Sequence, residues 1–300
     1  MHIQTHLEQL EAESIYIIRE VVAQFERPVF LYSIGKDSSV LLRLIQKAFY
    51  PGPIPLPALH IDTSYKFPEM IEFRDSMAKQ VGLNLHISTN QKALDEGANP
   101  YTLGTQRCCA LLKTQALLDG LAEHKFDGAI GGARRDEERS RAKERVFSFR
   151  DVHGQWEPRS QRPELWNLFN GRLNNGESMR IFPLSNWTER DIWHYILLEQ
   201  IPIVPLYFAQ KRKVVVKGNN LIPVMDSDPR TAQGGPIEEV MCRFRSLGCY
   251  HCTGAIRSTA TTLEEIVAEM TEVTTSERSL RVIDHDTDGS MEVKKREGYF

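Results

Sequence analysis

No stretch of this 300-residue chain approaches the roughly 18 consecutive apolar residues that a membrane-spanning helix requires. Met1 to Gln24 is polar and acidic, without the basic start and apolar middle of a secretory leader. Cysteine is sparse and odd in number. Five residues suit a reducing compartment better than a disulfide framework, so the expected location is the cytoplasm. Neither sign of charge dominates, and a formal net charge of −3 gives no ground for expecting nucleic acid or a membrane surface as partner. There is no internal repeat, no low-complexity tract and no Gly-x-Ser-x-Gly elbow, and nothing suggests a hydrolase triad. His60, His86, His194 and the other histidines show no metal-ligating spacing. With 41% hydrophobic and 26% charged residues, the chain reads as a soluble globular protein.

What is present starts at Phe30-Leu31-Tyr32-Ser33-Ile34-Gly35-Lys36-Asp37-Ser38-Ser39. The apolar run Pro28 to Tyr32 predicts a buried strand. Val40, Leu41, Leu44, Ile45 and Ala48 predict a helix directly after the break at Ser33 to Gly35. A strand that turns sharply into a helix aims free amides and the positive end of the helix dipole at one spot, which suits phosphate. Gly35 allows close approach, Lys36 adds charge, Ser33 and Ser38 add hydroxyls, and Asp37 can hold magnesium. This is not a Walker A loop: Phe30 stands where the first glycine belongs and Asp37 follows the lysine.

Along the chain, strands alternate with helices. Thr5-His6-Leu7-Glu8 reads as a capping box ahead of a first helix. Further strands are predicted at Leu56 to Ile61, Leu83–Ile87, Phe126–Ile130 and Met179–Phe182, with helices near Pro68–Gln80, Cys108–His124 and after Thr188. This order predicts an α/β fold: a doubly wound, mostly parallel, Rossmann-like sheet that binds ligands at the carboxyl ends of its strands. Residues 1–200 are expected to form that nucleotide-binding domain with its N-terminal helix. Residues 201–300 are expected to form an irregular extension packed on the core and on a partner, apart from a short helix at Thr262–Met270. Ser33–Ser38, Asp62 and Gly131–Arg135 all fall at strand ends, so three cues converge on one cleft.

Three constellations carry chemistry. The run Gly131-Gly132-Ala133-Arg134-Arg135 continues through Arg139, Arg141 and Lys143. From Arg134 to Arg150 basic side chains outnumber acidic ones by three. Arginine forks suit phosphate or sulfate oxygens, whereas a solvated helix laced with ion pairs is the plainer reading. Arg134 and Arg135 are the best candidates here, with Arg139, Arg141 and Lys143 acting when a loop closes. Asp62 is placed either to meet a ribose or adenine or to cap the next helix. Cys108-Cys109 with Cys249-Tyr250-His251-Cys252 offers four thiolates, enough for a [4Fe–4S] cluster or zinc, against the alternative of buried inert thiols.

The loop Ser33–Ser38 resembles the pyrophosphate-binding loop of enzymes that split ATP between its α- and β-phosphates. Taken with the cysteine pair and Lys113, the Gly131–Arg135 run and Pro183-Leu184-x-x-Trp187-Thr188-x-x-Asp191-Ile192-Trp193, it resembles the phosphoadenylyl-sulfate reductase-like family. Within that family, Gly154 to Trp166 and the tail from Ser276 to Phe300 resemble the small subunit of bacterial sulfate adenylyltransferase. The resemblance covers nearly the whole chain. It implies an adenine-nucleotide alpha-hydrolase-like fold and the reaction ATP + sulfate → adenylyl sulfate + diphosphate, with magnesium accompanying ATP. It also implies a separate GTPase subunit that drives the reaction, in a heterodimer or larger complex. No iron–sulfur cluster is expected. Site residues implied are Lys36, Asp37, Arg134 and Arg135 for catalysis, with Ser33, Ile34, Gly35, Ser38, Asp62, Lys113, Gly131, Gly132, Arg139 and Lys143 for binding. A sulfonucleotide reductase is the main alternative, but no cysteine follows Cys252 to attack the sulfonucleotide. A thiolating or amidating enzyme with the same loop and a non-catalytic nucleotide-binding module are the others.

Overall fold

The computed structural model describes residues 5–217, 220–225 and 236–272. Helix α1 (His6–Gln24) opens with both halves of its capping box made: Glu8 N–H donates to Thr5 Oγ1 and Thr5 N–H to the Glu8 carboxylate. Its face of Leu10, Ser14, Ile17, Ile18 and Val21 is buried. Then come β1 (Pro28–Leu31), α2 (Lys36–Phe49), β2 (Ala58–Ile61), α3 (Pro68–Val81) and β3 (Leu85–Ser88). Helices α4 (Gln91–Asp95) and α5 (Pro100–Cys109) lead through a π-helical turn, Ala110–Gln115, into α6 (Ala116–Glu123). After β4 (Gly128–Ile130) the chain forms the short α7 (Arg139–Ala142), β5 (Phe147–Arg150), β6 (Ser178–Ile181) and α8 (Glu189–Glu199).

These six strands make one sheet in the order β3-β2-β1-β4-β6-β5, parallel throughout except for β5, which runs antiparallel to β6 at the edge. The order reverses between β1 and β4, so the crevice beyond their carboxyl ends is the topological switch point. One face of the sheet is covered by α1, α2 and α8, whose Ile17, Val21, Leu41, Leu44, Trp193 and Ile196 join Phe30 and Ile181 in the main core. On the other face Leu117 and Leu121 of α6 pack on Val29, Leu59 and Ala129. Each such side chain contributes about 1.5–3 kcal/mol through burial. Ser14 ties α1 to the segment before α8, donating to the Pro183 carbonyl and accepting from the Trp187 indole N–H, both at 2.9 Å.

The chain departs from the sequence expectation in three places. Strand β5 lies inside the charge run and was not expected. Its Ser148 and Arg150 point inward, where the Arg150 guanidinium meets Glu144 at 2.7 Å, so buried charge hides the strand's alternation. The helix expected at Cys108–His124 begins earlier, at Pro100, and is broken by Gly104 at φ 72° and by the π-helical turn. Residues after 201, expected to be irregular, contain β7 (Gln210–Lys217), β8 (Asn220–Pro223), β9 (Ile237–Phe244) and β10 (Ala255–Arg257). These close into an antiparallel barrel in the order β10-β8-β7-β9, followed by α9 (Leu263–Glu272). The basic Lys211-Arg212-Lys213 looks like a loop, yet it is the start of β7. The Arg212 guanidinium lies over the Phe244 ring, 5.6 Å from its centroid. Barrel residues Val214, Leu221 and Phe244 belong to the same core as the sheet. The tail from Ser276 to Phe300, expected to wrap over the core or a partner, lies outside the described residues.

Candidate active site

At the carboxyl end of β1, Ser33, Ile34 and Gly35 turn the chain into α2. Ile34 is fully buried at φ 71°, a left-handed conformation that a β-branched residue adopts only under constraint. Gly35 occupies the N-cap position without a side-chain cap of its own. Ser38 and Ser39 donate their hydroxyls back to the Gly35 carbonyl, at 2.9 and 3.2 Å. Lys36, the first helical residue, is 1% exposed, an unusual setting for a lysine unless an anion is to meet it. Its Nζ lies 3.3 Å from Asp37 Oδ2. The other carboxylate oxygen of Asp37 accepts from Arg134 Nε at 2.7 Å.

The loop after β4 comes down on this turn. A Cβ on Gly132 would stand 3.1 Å from Asp37 Cβ and 3.3 Å from the Asp37 carbonyl carbon, so any other residue would push the two loops apart by a few tenths of an ångström. The two loops bound a cavity whose wall also includes His60, Lys66, Lys113, Arg141, Tyr207 and the stretch Ser246 to Cys249. Four cationic side chains (Lys36, Lys66, Lys113 and Arg141) face two acidic ones (Asp37 and Glu137) across it. That excess suits a polyanion.

Ser33, Gly35, Lys36, Asp37, Lys113 and Gly132 thus line one cavity. Ile34, Ser38 and Gly131 sit behind it and shape the loops; the Gly131 amide donates to the Ile181 carbonyl. Arg134 is not in the cavity wall. It is buried beneath, where it pairs with Asp37 and, at 3.4 Å, with Asp136. Arg135 faces away and donates to Asn186, which in turn donates to Glu13. Asp62 accepts from the Ser64 amide at 2.8 Å, a local turn, and lies 4.0 Å from Arg74. Lys143 is exposed, and the Arg139 side chain lies outside the described residues. Arg141 is nine-tenths buried with Nε 3.3 Å from Glu137. Tyr207, Lys66 and Ser246 to Gly248 carried no signal in the sequence, because they reach the site from distant turns, and Cys249 was singled out only as a thiolate and not as part of this wall.

His60 is 1% exposed, and burial together with the Lys66 charge pushes its pKa down to about 3. Its Nδ1 donates to the Tyr32 carbonyl at 2.8 Å, so the neutral ring carries its proton there. Two of the thiols are held protonated: burial pushes Cys108 up to about 12 and raises Cys252 as well. Cys249 lies 3.0 Å from the Thr63 hydroxyl. No group of three or more His, Cys, Asp or Glu among the described residues is arranged to hold a metal ion.

A cationic cavity at the switch point of a parallel sheet, with a lysine at a helix N-terminus, defines an α/β protein whose site suits phosphate-bearing nucleotides. Residues 27–255 match the family model of the phosphoadenosine phosphosulfate reductase domain. The chain belongs to that family, in the branch of the sulfate adenylyltransferase subunit 2 proteins. It is 61% identical over 296 residues to sulfate adenylyltransferase subunit 2 of Myxococcus xanthus, spanning 99% of this chain and 97% of that protein. It is 60% identical to the protein of the same name from Bacteroides fragilis, spanning 99% and 98%. Among solved structures it is similar to phosphoadenylyl-sulfate reductase of Candida auris, with a TM-score of 0.47, 17% identity and coverage of 69% of this chain and 92% of that one. It is also similar to FMN adenylyltransferase of Candida glabrata, with a TM-score of 0.49, 17% identity and coverage of 76% and 73%.

Proposed function

We propose that this chain catalyses ATP + sulfate → adenylyl sulfate + diphosphate, as the catalytic subunit of a sulfate adenylyltransferase. The observation that carries the reading is Lys36: a fully buried cation on the first turn of α2, in a cavity with an excess of positive side chains. The names of relatives about 60% identical over the full chain give the acceptor as sulfate.

In this reading the loop from Ser33 to Lys36 and the N-terminus of α2 hold the β- and γ-phosphates and then the departing diphosphate. Lys36 offsets the negative charge that grows on the leaving oxygen. Asp37 and the buried Arg134 hold one another, and through them the two loops keep their spacing, so Arg134 acts as a support. Lys113 and Arg141, on the wall beyond the loop, reduce the repulsion between sulfate and the α-phosphate. Catalysis is then positioning and charge compensation without a covalent enzyme intermediate. Magnesium would accompany ATP and offset phosphate charge, and Asp37, whose two carboxylate oxygens face Lys36 and Arg134, is the loop carboxylate that would hold it.

Adenylyl sulfate is a high-energy mixed anhydride, so its formation must be coupled to a second reaction. We assign that role to a separate GTPase subunit in a heterodimer or larger complex, since relatives carry the name subunit 2 and this chain has no Walker A motif. A cytoplasmic setting is supported by the five free cysteines, and no helix among the described residues is long and apolar enough to cross a membrane.

The test uses α-³²P-labelled ATP, magnesium, sulfate and inorganic pyrophosphatase, with and without the GTPase subunit and GTP, resolving labelled products by chromatography. Sulfate-dependent adenylyl sulfate that rises with GTP is expected. Its absence with the partner present overturns the reading, and thioredoxin-dependent sulfite release would then point to a reductase.

A further inference from the structure

Helices α1 and α8 begin with threonine caps, Thr5 and Thr188, that take an amide of the first turn. Helix α2 does not: Gly35 offers no side chain, although this is the helix whose first turn forms the site. The missing acceptor arrives from 171 residues further along the chain. The Tyr207 hydroxyl accepts from the Lys36 amide at 2.8 Å, inside the cavity wall. Tyr207 is 1% exposed and its ring meets Trp193 of α8 edge to face, with centroids 5.4 Å apart. It closes the turn Pro205–Tyr207, just before the barrel begins at Gln210. A Cβ on Gly35 would stand 3.5 Å from the same hydroxyl oxygen, so the hydroxyl also lies over the Gly35 position.

We propose that Tyr207 is a positioning residue that fixes the phosphate loop in its binding conformation from the C-terminal side of the chain. The loop needs such a hold, because Ile34 at φ 71° persists only where its surroundings over-determine it. A hydroxyl bonded to the first helical amide sets the direction of the α2 N-terminus and the backbone of Lys36 together. A ring locked against Trp193 makes that hold rigid. The inference rests on the reading that this loop binds the two terminal phosphates of ATP.

The test is Tyr207→Phe in the complete complex with its partner subunit, assayed in the reverse direction, adenylyl sulfate + diphosphate → ATP + sulfate. The variant keeps the ring and removes one oxygen. Diphosphate occupies the loop and adenylyl sulfate does not, so the expected result is a KM for diphosphate raised about tenfold with the KM for adenylyl sulfate unchanged. A purely structural role lowers kcat with the folded fraction and leaves both KM values alone, which overturns the proposal. So does a lower KM for diphosphate, which would mean that the hydroxyl competes with phosphate for the amide. If the variant does not support turnover, amide hydrogen exchange decides. Faster exchange confined to residues 33–38, with α2 beyond Val40 unchanged, supports the proposal, and unchanged loop exchange overturns it. Lys36→Ala runs in parallel. If it too leaves diphosphate KM untouched, the loop assignment has failed, whereas loss in Lys36→Ala with no change in Tyr207→Phe removes Tyr207 alone.

Discussion

At the scale of single residues, Lys36 decides whether the site works. Its ammonium is excluded from water and held by one carboxylate oxygen 3.3 Å away, so an incoming phosphate meets a cation that water does not screen. Lys36→Ala is expected to lower the rate of adenylyl sulfate formation by about a hundredfold or more. Its circular-dichroism spectrum and melting temperature should stay close to those of the unaltered protein, and retained turnover would sink the role assigned to Lys36. The cysteines are expected to behave oppositely. Cys108 is buried and its thiol is pushed up to about 12, so it stays protonated at neutral pH. Replacing Cys108 and Cys109 together with serine should leave sulfate-dependent adenylation largely intact in a folded protein. Its loss would revive a metal or cluster role. Lys36, Asp37 and Gly132 could be found from the sequence because each lies within a few residues of a predicted strand end. Arg134 and Arg135 show the limit of that inference. They are adjacent, yet one turns under the loop to Asp37 and the other outward to Asn186. A sequence run gives the charges without the direction in which successive side chains leave the backbone.

At the scale of elements, the site is an approach of two loops across the switch point, and Gly132 is where they touch. Its φ is not in the left-handed region, so the need for glycine is steric alone. Gly132→Ala puts a methyl group 3.1 Å from Asp37 Cβ, 3.3 Å from the Asp37 carbonyl carbon and 3.4 Å from the Ser38 amide nitrogen. Two of these neighbours are backbone at the start of α2 and cannot yield cheaply. The loops must separate by a few tenths of an ångström, which weakens the Asp37–Arg134 pair and moves Lys36. The expected outcome is a loss in kcat/KM for ATP on the order of 10–100-fold, with a native circular-dichroism spectrum; wild-type kinetics would show that the two loops move independently. The parallel strands were legible because each is an apolar run between helices of ordinary length. The barrel was not. Its β7 carries three basic residues next to its start, of which Arg212 lays its guanidinium over Phe244, and its pairing with β9 spans residues 210–242, a separation that no local pattern reveals. Strand β5 was hidden for a related reason, since its inward Arg150 is neutralised by Glu144 rather than replaced by an apolar residue.

At the scale of the whole molecule, the sheet and the barrel share one core, and the cavity is walled by loops of the sheet together with Tyr207 and Ser246 to Cys249, which flank barrel strands, so folding stability and the site are linked through buried groups. His60 makes that link measurable. Its pKa is lowered to about 3, chiefly by burial, against an ordinary value of 6.5. Above pH 6.5 the ring is neutral in folded and unfolded chains alike and contributes no pH dependence. As pH falls below 6.5 the unfolded chain takes up a proton that the folded protein refuses until about pH 3. Stability must therefore fall through that window, with a slope of at most ~1.4 kcal/mol per pH unit from this group. His86 at the sheet edge is shifted in the same direction, so the slope of the natural protein alone does not isolate His60. His60→Asn retains a donor for the Tyr32 carbonyl and removes the titrating ring. Carboxylates such as Glu199 are held below their usual range and release their stabilisation only at lower pH. The comparison therefore belongs between pH 6.5 and 5, by urea unfolding at fixed ionic strength. The expected result is a variant less stable at pH 7 whose stability declines more slowly over that interval than that of the unaltered protein. Parallel declines would mean that the buried imidazole is protonated in the folded state as readily as in the unfolded one. The lowered pKa of the ring in the cavity wall would then have to be abandoned, whereas the Nδ1 donor to the Tyr32 carbonyl would stand, because an imidazolium donates from both nitrogens.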